Sequence, residues 1–126
     1  MPTLLTAPVS IPVPDGKRIE EHVGRLATGD GAVSVAHMTA PPGWSEPAQR
    51  PSFREITLVI DGVLLVDTDD GVVVVAAGQA IVAEPGERVR YGTGADQGAQ
   101  YVAVCLPAFD PVAAAREDAG ASGEQG

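Results

Sequence analysis

The feature that most constrains this chain is a series of short apolar runs separated by turn signals. Between residues 19 and 107, runs rich in Val, Ala and Ile occupy 32–39, 53–60, 63–67, 72–76, 80–83, 89–91 and 99–106. Side chains branched at Cβ crowd the turn of a helix but pack well on a pleated surface, so these runs read as strands. No long segment in this region keeps a helical period. Gly29-Asp30-Gly31, Asp61-Gly62, Asp70-Gly71 and Pro85-Gly86 fall between runs. Asp-Gly supplies the positive φ angles of a tight hairpin, so hairpins are expected at Asp61-Gly62 and Asp70-Gly71. Short strands at regular spacing imply an all-β sandwich or barrel.

A length of 126 residues fits one domain. Aromatic residues are only 4% of the chain, so aliphatic side chains must fill the core. A net charge of -9 with only 8 Lys and Arg argues against partners that are polyanions, nucleic acid and anionic membrane surfaces alike. No apolar run approaches the roughly 20 residues of a membrane helix, and no basic segment followed by an apolar one opens the chain. Cys105 is the only cysteine and has no internal partner. A cytoplasmic location is the expectation.

Three parts are expected. Residues 1–18 carry Pro2, Pro8, Pro12 and Pro14 among Leu4, Leu5, Val9, Ile11 and Val13. Proline blocks helix, so this is an extended apolar arm. It packs either along a neighbouring subunit or across its own barrel. Residues 19–110 form the barrel. Residues 111–126 give a short helix, from Pro111 to Asp118, and then a disordered tail.

The centre of the chain carries a resemblance. In GWSEPAQRPSFREITLVIDG, Gly43, Glu55 and Gly62 have the order and spacing of the first cupin motif. In GQAIVAEPGERVRY, Gly78 and Glu84-Pro85-Gly86 stand where the second motif has its glycine and its Pro-x-Gly. YVAVCLPAF is similar to the last barrel strand. Over residues 33–109 the chain resembles small one-domain bacterial cupins, which implies a double-stranded β-helix, or jelly-roll, barrel. Similar cupins form dimers, which together with the arm implies a homodimer.

Cupins typically hold a metal with three histidines and a glutamate. Carried over, the first two histidines fall on Gln49 and Pro51, or on Ala48 and Arg50. The glutamate falls on Glu55, and the last histidine on Val89 or Arg90. Pro, Ala and Val have no donor atom, and arginine brings a positive charge without a lone pair. The expectation is no metal and no other cofactor.

What remains is a cavity lined by alternate residues of each strand. On 53–60, alternation groups Phe53, Glu55, Thr57 and Val59. On 99–106 it groups Ala99, Tyr101, Ala103 and Cys105. A carboxylate inside an apolar barrel has its charged form disfavoured, so Glu55 is a candidate acid or base. Arg90 is its candidate partner, as a catalytic oxygen-stabilising group or as a structural ion pair. Gln49, Tyr91 and Tyr101 are candidates for holding ligand oxygens, and Trp44 for a lid or wall. His37 is grouped with Val33 and Val35 as a pocket-lining residue. His22, beside Glu20 and Glu21, reads as a surface histidine, and Cys105 as an inert core residue.

The resulting expectation is a metal-independent enzyme acting on a small organic molecule. Acid/base or shape-directed catalysis of isomerase, lyase or cyclase type, as in natural-product or polyketide biosynthesis, is the leading reading. A non-catalytic small-molecule binder and a metal cupin with atypical ligands (His37, Glu55, Gln49) stand beside it.

Overall fold

The computed structural model describes residues 1–110. The helix and tail expected in 111–126 lie outside the described residues. Among the described residues there are eight strands: β1 (Val9–Ile11), β2 (Arg18–Val23), β3 (Ser34–Ala40), β4 (Arg54–Thr68), β5 (Gly71–Ala76), β6 (Ala80–Ala83), β7 (Val89–Gly92) and β8 (Ala99–Leu106). All pairings between them are antiparallel.

β4 organises the barrel. Its first half lies between β8 and β6, in a sheet that continues through β3 and β2 to β1. Its second half lies between β5 and β7 in a facing sheet. The switch occurs at Asp61-Gly62, where a hairpin was expected. The chain does not reverse there. Register against β8 shifts between Val59 and Asp61, and Gly62 takes a φ of 77°. The bulge leaves Ile60 without a partner on β8, and Asp61-Gly62 follows it where the strand bends from one sheet into the next. Positive φ is common to a hairpin turn and a glycine bulge, so the dipeptide alone did not separate them.

The hairpin expected at Asp70-Gly71 is present, one residue earlier. Thr68 pairs with Gly71, so Asp69 and Asp70 form the loop and Gly71 opens the return strand. At the Glu84–Glu87 turn the amide of Glu87 donates to the Glu84 carbonyl at 3.1 Å, and Gly86 has a φ of 87°. Pro at the second turn position and a positive-φ glycine at the third define type II geometry.

The arm packs on its own subunit at β1, which pairs with β2. Residues 42–50 hold a further surprise. They fall outside the apolar runs, yet Gln49 and Val89 exchange backbone hydrogen bonds at 2.9 Å, and Glu46 N–H donates to the Tyr91 carbonyl at 3.1 Å. This stretch lies beside β7 as an irregular strand, interrupted by Pro47, and presents Trp44, Glu46 and Ala48 inward. Trp44, Val59, Leu64, Val66, Val75, Tyr91 and Tyr101 fill one end of the barrel. Phe53, Cys105 and the partly buried Phe109 pack together elsewhere, with the two phenyl rings edge-on and their centroids 5.9 Å apart.

A candidate active site inside the barrel

Each strand sends alternate side chains inward, and the space left between the two sheets is the candidate site. Ser34, Ala36 and Met38 reach it from β3, and Tyr101, Ala103 and Cys105 from β8. Ile19 and Glu21 come from β2, Glu55 from β4 and Tyr91 from β7. Ile11, Lys17, Glu46, Gln49 and Phe109 complete the wall. The cavity leaves about 50 Å³ of room for the centre of a water-sized molecule. A single water needs roughly 10–15 Å³ on that measure, so the space admits a small organic molecule rather than one solvent molecule.

Glu55 stands at the centre of this wall and is buried. The Tyr91 hydroxyl, from the facing sheet, donates to its Oε1 at 2.7 Å. Cys105 Sγ lies 3.7 Å from its Oε2. Burial is the largest influence on Glu55 and raises its pKa above the ordinary glutamate value. The Tyr91 hydrogen bond offsets part of that rise, the Glu46 charge adds to it, and Lys17 opposes it. Burial also pushes the Tyr91 hydroxyl well above its usual value, as does the neighbouring Glu55 charge. Tyr91 therefore remains a proton donor to Oε1, while the Cys105 thiol is the weak donor at Oε2. The Cys105 thiol is pushed up by burial first and by Glu55 second, so it stays a thiol.

A second polar group faces Glu55 across the cavity wall. Lys17 Nζ donates to Glu46 Oε1 at 2.9 Å, and Gln49 Nε2 donates to Glu46 Oε2 at 3.0 Å. Both charged partners are almost fully withdrawn from solvent, with side chains 5% and 2% exposed. The Lys17 ammonium also sits 4.7 Å from the centroid of the Trp44 ring, a favourable cation–π placement.

The structure thus brings Glu55, Gln49, Tyr91 and Tyr101 to one cavity. It places three other candidates elsewhere. Arg90 is exposed, because Val89 and Tyr91 take the inward positions of β7 and Arg90 takes the outward one. Its guanidinium donates to the Glu46 carbonyl at 3.1 Å and to the Ser45 hydroxyl at 3.2 Å, so the expected Glu55–Arg90 pairing is not made. His37 also faces outward. Inward positions on β3 are Ser34, Ala36 and Met38, and His37 Nδ1 lies 3.6 Å from Glu20 Oε1 on the other face. Trp44 is buried beneath Lys17 and borders an outer groove with Arg90, not the cavity.

Lys17 and Glu46 escaped the sequence reading. Lys17 follows the Asp15-Gly16 turn in a segment without period, and nothing local marks it. Glu46 carried a usable signal, the Trp44/Glu46/Ala48 alternation, which Pro47 disguised as loop.

The residues present do not fit the metal centre that the cupin resemblance implies. Glu55 already accepts from Tyr91, and Gln49 offers its amide nitrogen to Glu46. Pro51, Ala48 and Val89 supply no donor, and the ammonium of Lys17 shares the cavity. Among the described residues no three His, Cys, Asp or Glu side chains gather to hold an ion. The alternative set His37, Glu55 and Gln49 does not converge: His37 is on the outer face of its sheet, while Glu55 and Gln49 line the cavity.

Comparison with known proteins agrees with this fold. The cupin domain family matches residues 36–105. In fold the chain is similar to the polyketide cyclase RemF of Streptomyces resistomycificus, with a TM-score of 0.72, 17% identity, and 88% of this chain and 82% of that one covered. It is also similar to an RmlC-like cupin of Shewanella frigidimarina, with a TM-score of 0.71, 12% identity, and 83% and 88% covered. A protein of Myxococcus xanthus named endoribonuclease YbeY is 46% identical over 101 residues, 80% of this chain. The match spans only 34% of that protein's length. Motif order, jelly-roll topology and the family match over more than half of its length agree: the chain belongs to the cupin domain family.

Proposed function

We propose that this cupin is a metal-independent enzyme in which Glu55 performs proton transfer on a small carbonyl compound held in the barrel. The observation that carries the reading is the buried Glu55 carboxyl that lines the cavity, with Tyr91 donating to Oε1 and only the weak thiol donor of Cys105 at Oε2. A carboxylic acid kept neutral by an apolar site can donate to a developing oxyanion. In this reading the Oε2 proton passes to the substrate carbonyl oxygen. The resulting carboxylate, held by Tyr91, removes a proton from the adjacent carbon and Glu55 is regenerated. That keto–enol exchange is the shared step of isomerase, lyase and cyclase chemistry. Likeness in fold to a polyketide cyclase supports the cyclase form. The endoribonuclease name is not carried over: the match covers a third of that protein, and a net charge of -9 opposes a polyanionic substrate.

The test is deuterium exchange at the α-carbon of small ketones in chelator-treated protein, followed by NMR. Exchange above the buffer rate is expected, and Glu55→Gln is expected to reduce it by about 10²–10⁴-fold. Exchange no faster than buffer, or dependent on added metal, would overturn the reading. Binding of ketones without exchange would favour the non-catalytic binder.

In the same reading the protein works as a homodimer in the cytoplasm. The outward face of the first sheet supports the dimer: Ile56, Val35, Val102 and Val104 are half-buried, and Leu58, Ile60 and Val82 are exposed. With strands about 4.8 Å apart and about 3.3 Å per residue, four strands of this face present about 450 Å². Two such faces together hide about 900 Å², just short of the roughly 1,000 Å² expected of a specific interface. The exposed Leu4 and Leu5 of the arm are available to add to it. A partner copy matches the face in kind, apolar to apolar, with Arg18 and Glu20 at its polar rim. A free, buried Cys105 is in keeping with a reducing compartment.

A further inference from the structure

The cavity's charges and its unpaired atoms together specify what kind of molecule it takes. Among the described residues Lys17 is the only basic side chain lining it, and its ammonium is bound to Glu46 Oε1 at 2.9 Å. The remaining ionisable acids on the wall are Glu21 and Glu55. Glu21 Oε1 already accepts backbone N–H groups from Leu26 and Ala27, at 3.1 and 3.3 Å. An entering carboxylate or phosphate would meet the acidic Glu21 and Glu46 beside a cation already bound to Glu46. Desolvating an anion there has no compensation.

Gln49 adds the second half of the specification. Glu46, bound to the Lys17 cation, can only accept hydrogen bonds, so it fixes the Gln49 amide with its NH₂ toward Glu46 Oε2. The carbonyl oxygen is then left over. Gln49 is 5% exposed and lines the cavity, and its Oε1 has no donor among the described residues. A buried acceptor without a partner is costly, and a ligand donor recovers that cost. The rest of the wall is largely apolar, with Ile11, Ile19, Ala36 and Met38 among its members.

We infer that the substrate is an uncharged, hydroxyl-bearing molecule whose hydroxyl donates to Gln49 Oε1 while an apolar ring or chain fills the remaining space. This rests on the proposal that the barrel cavity is the active site, and it adds the class of compound. Lys17 and Glu46 are positioning residues in this account: they orient the Gln49 amide and cancel the charge that would otherwise attract anions.

The experiment uses phenol, anisole and benzoate as probes, with binding read from NMR shifts of the cavity tyrosines. In the wild-type protein phenol is expected to bind about tenfold tighter than anisole, which has lost the donor. Benzoate is expected to bind more weakly than either. In Gln49→Met the phenol-over-anisole preference should vanish. Benzoate binding as tightly as phenol, no preference for phenol over anisole, no binding of phenol, or a preference that survives Gln49→Met would each overturn the inference. Wild-type affinities decide the question even where the variant fails to fold. Because the readout is binding alone, this result stands apart from the deuterium exchange that tests Glu55.

Discussion

At Glu55 burial and hydrogen bonding act in opposite directions, and burial is the stronger. The consequence for stability has a definite sign. The folded state binds the Glu55 proton more tightly than the unfolded chain, whose glutamate has the ordinary value of 4.5. Glu55 therefore adds no penalty below pH 4.5 and costs stability progressively as pH rises from there through its raised folded value. Glu55→Gln removes that loss. Its melting temperature relative to wild type is expected to climb as pH rises through this window, measured by thermal denaturation across a pH series. The Lys17–Glu46 pair makes a separate claim. Removing one member leaves a buried charge alone, so Lys17→Met should destabilise by about 3 kcal/mol in urea titration, and adding Glu46→Gln should restore part of it. At this scale Glu55 and Gln49 were legible because they sit at defined positions of a motif. Lys17 was not, since its partner lies 29 residues away and only the fold brings them together.

Among the elements, β4 shows where local signals stop. Its two halves were each readable as strands from their alternation. Their continuity across Asp61-Gly62 was not, because a bulge and a hairpin turn ask for the same backbone angles. What separates them is the neighbour: a Cβ on Gly62 would collide with the Gly98 carbonyl oxygen, and one on Gly98 with the Ala40 carbonyl oxygen. These two glycines let three chain segments approach closely at the bend between the sheets. Gly62→Ala combines that collision with a φ of 77° and is expected to cost about 3 kcal/mol in chemical denaturation. Gly29→Ala, equally positive in φ but facing open space, should cost about 1 kcal/mol. Strand faces followed a similar rule. β8 shows clean alternation, and its inward set was readable. On β3 apolar residues occupy both faces, so the period alone did not say whether His37 or Met38 points in.

For the molecule as a whole, the same ambiguity on β3 has a physical cause: the outward face is apolar as well. A second copy covering it, as proposed, would bury Val35, Leu58, Ile60 and Val82. Leu58→Glu combined with Ile60→Glu is expected to convert a dimer into a monomer, read by analytical ultracentrifugation, while leaving the β-sheet circular dichroism unchanged. A wild-type protein that sediments as a monomer would remove the dimer from the account. The barrel itself was legible in two steps: the strand runs and turn signals gave an all-β sandwich or barrel, and the resemblance to cupins supplied the jelly-roll topology. The chemistry was legible only in part, because cavity charge depends on which of several acidic and basic side chains the closed barrel withdraws from water.

The central claim is that protein side chains, Glu55 foremost, do the work of this cavity without help from an ion. It is tested most directly by titrating the Glu55 carboxyl carbon by ¹³C NMR in chelator-treated protein, with and without one equivalent of zinc, using Glu55→Gln to assign the signal. The account expects a midpoint above that of the exposed glutamates and unchanged by zinc. A midpoint at or below 4.5, or one that falls when zinc is added, would contradict it.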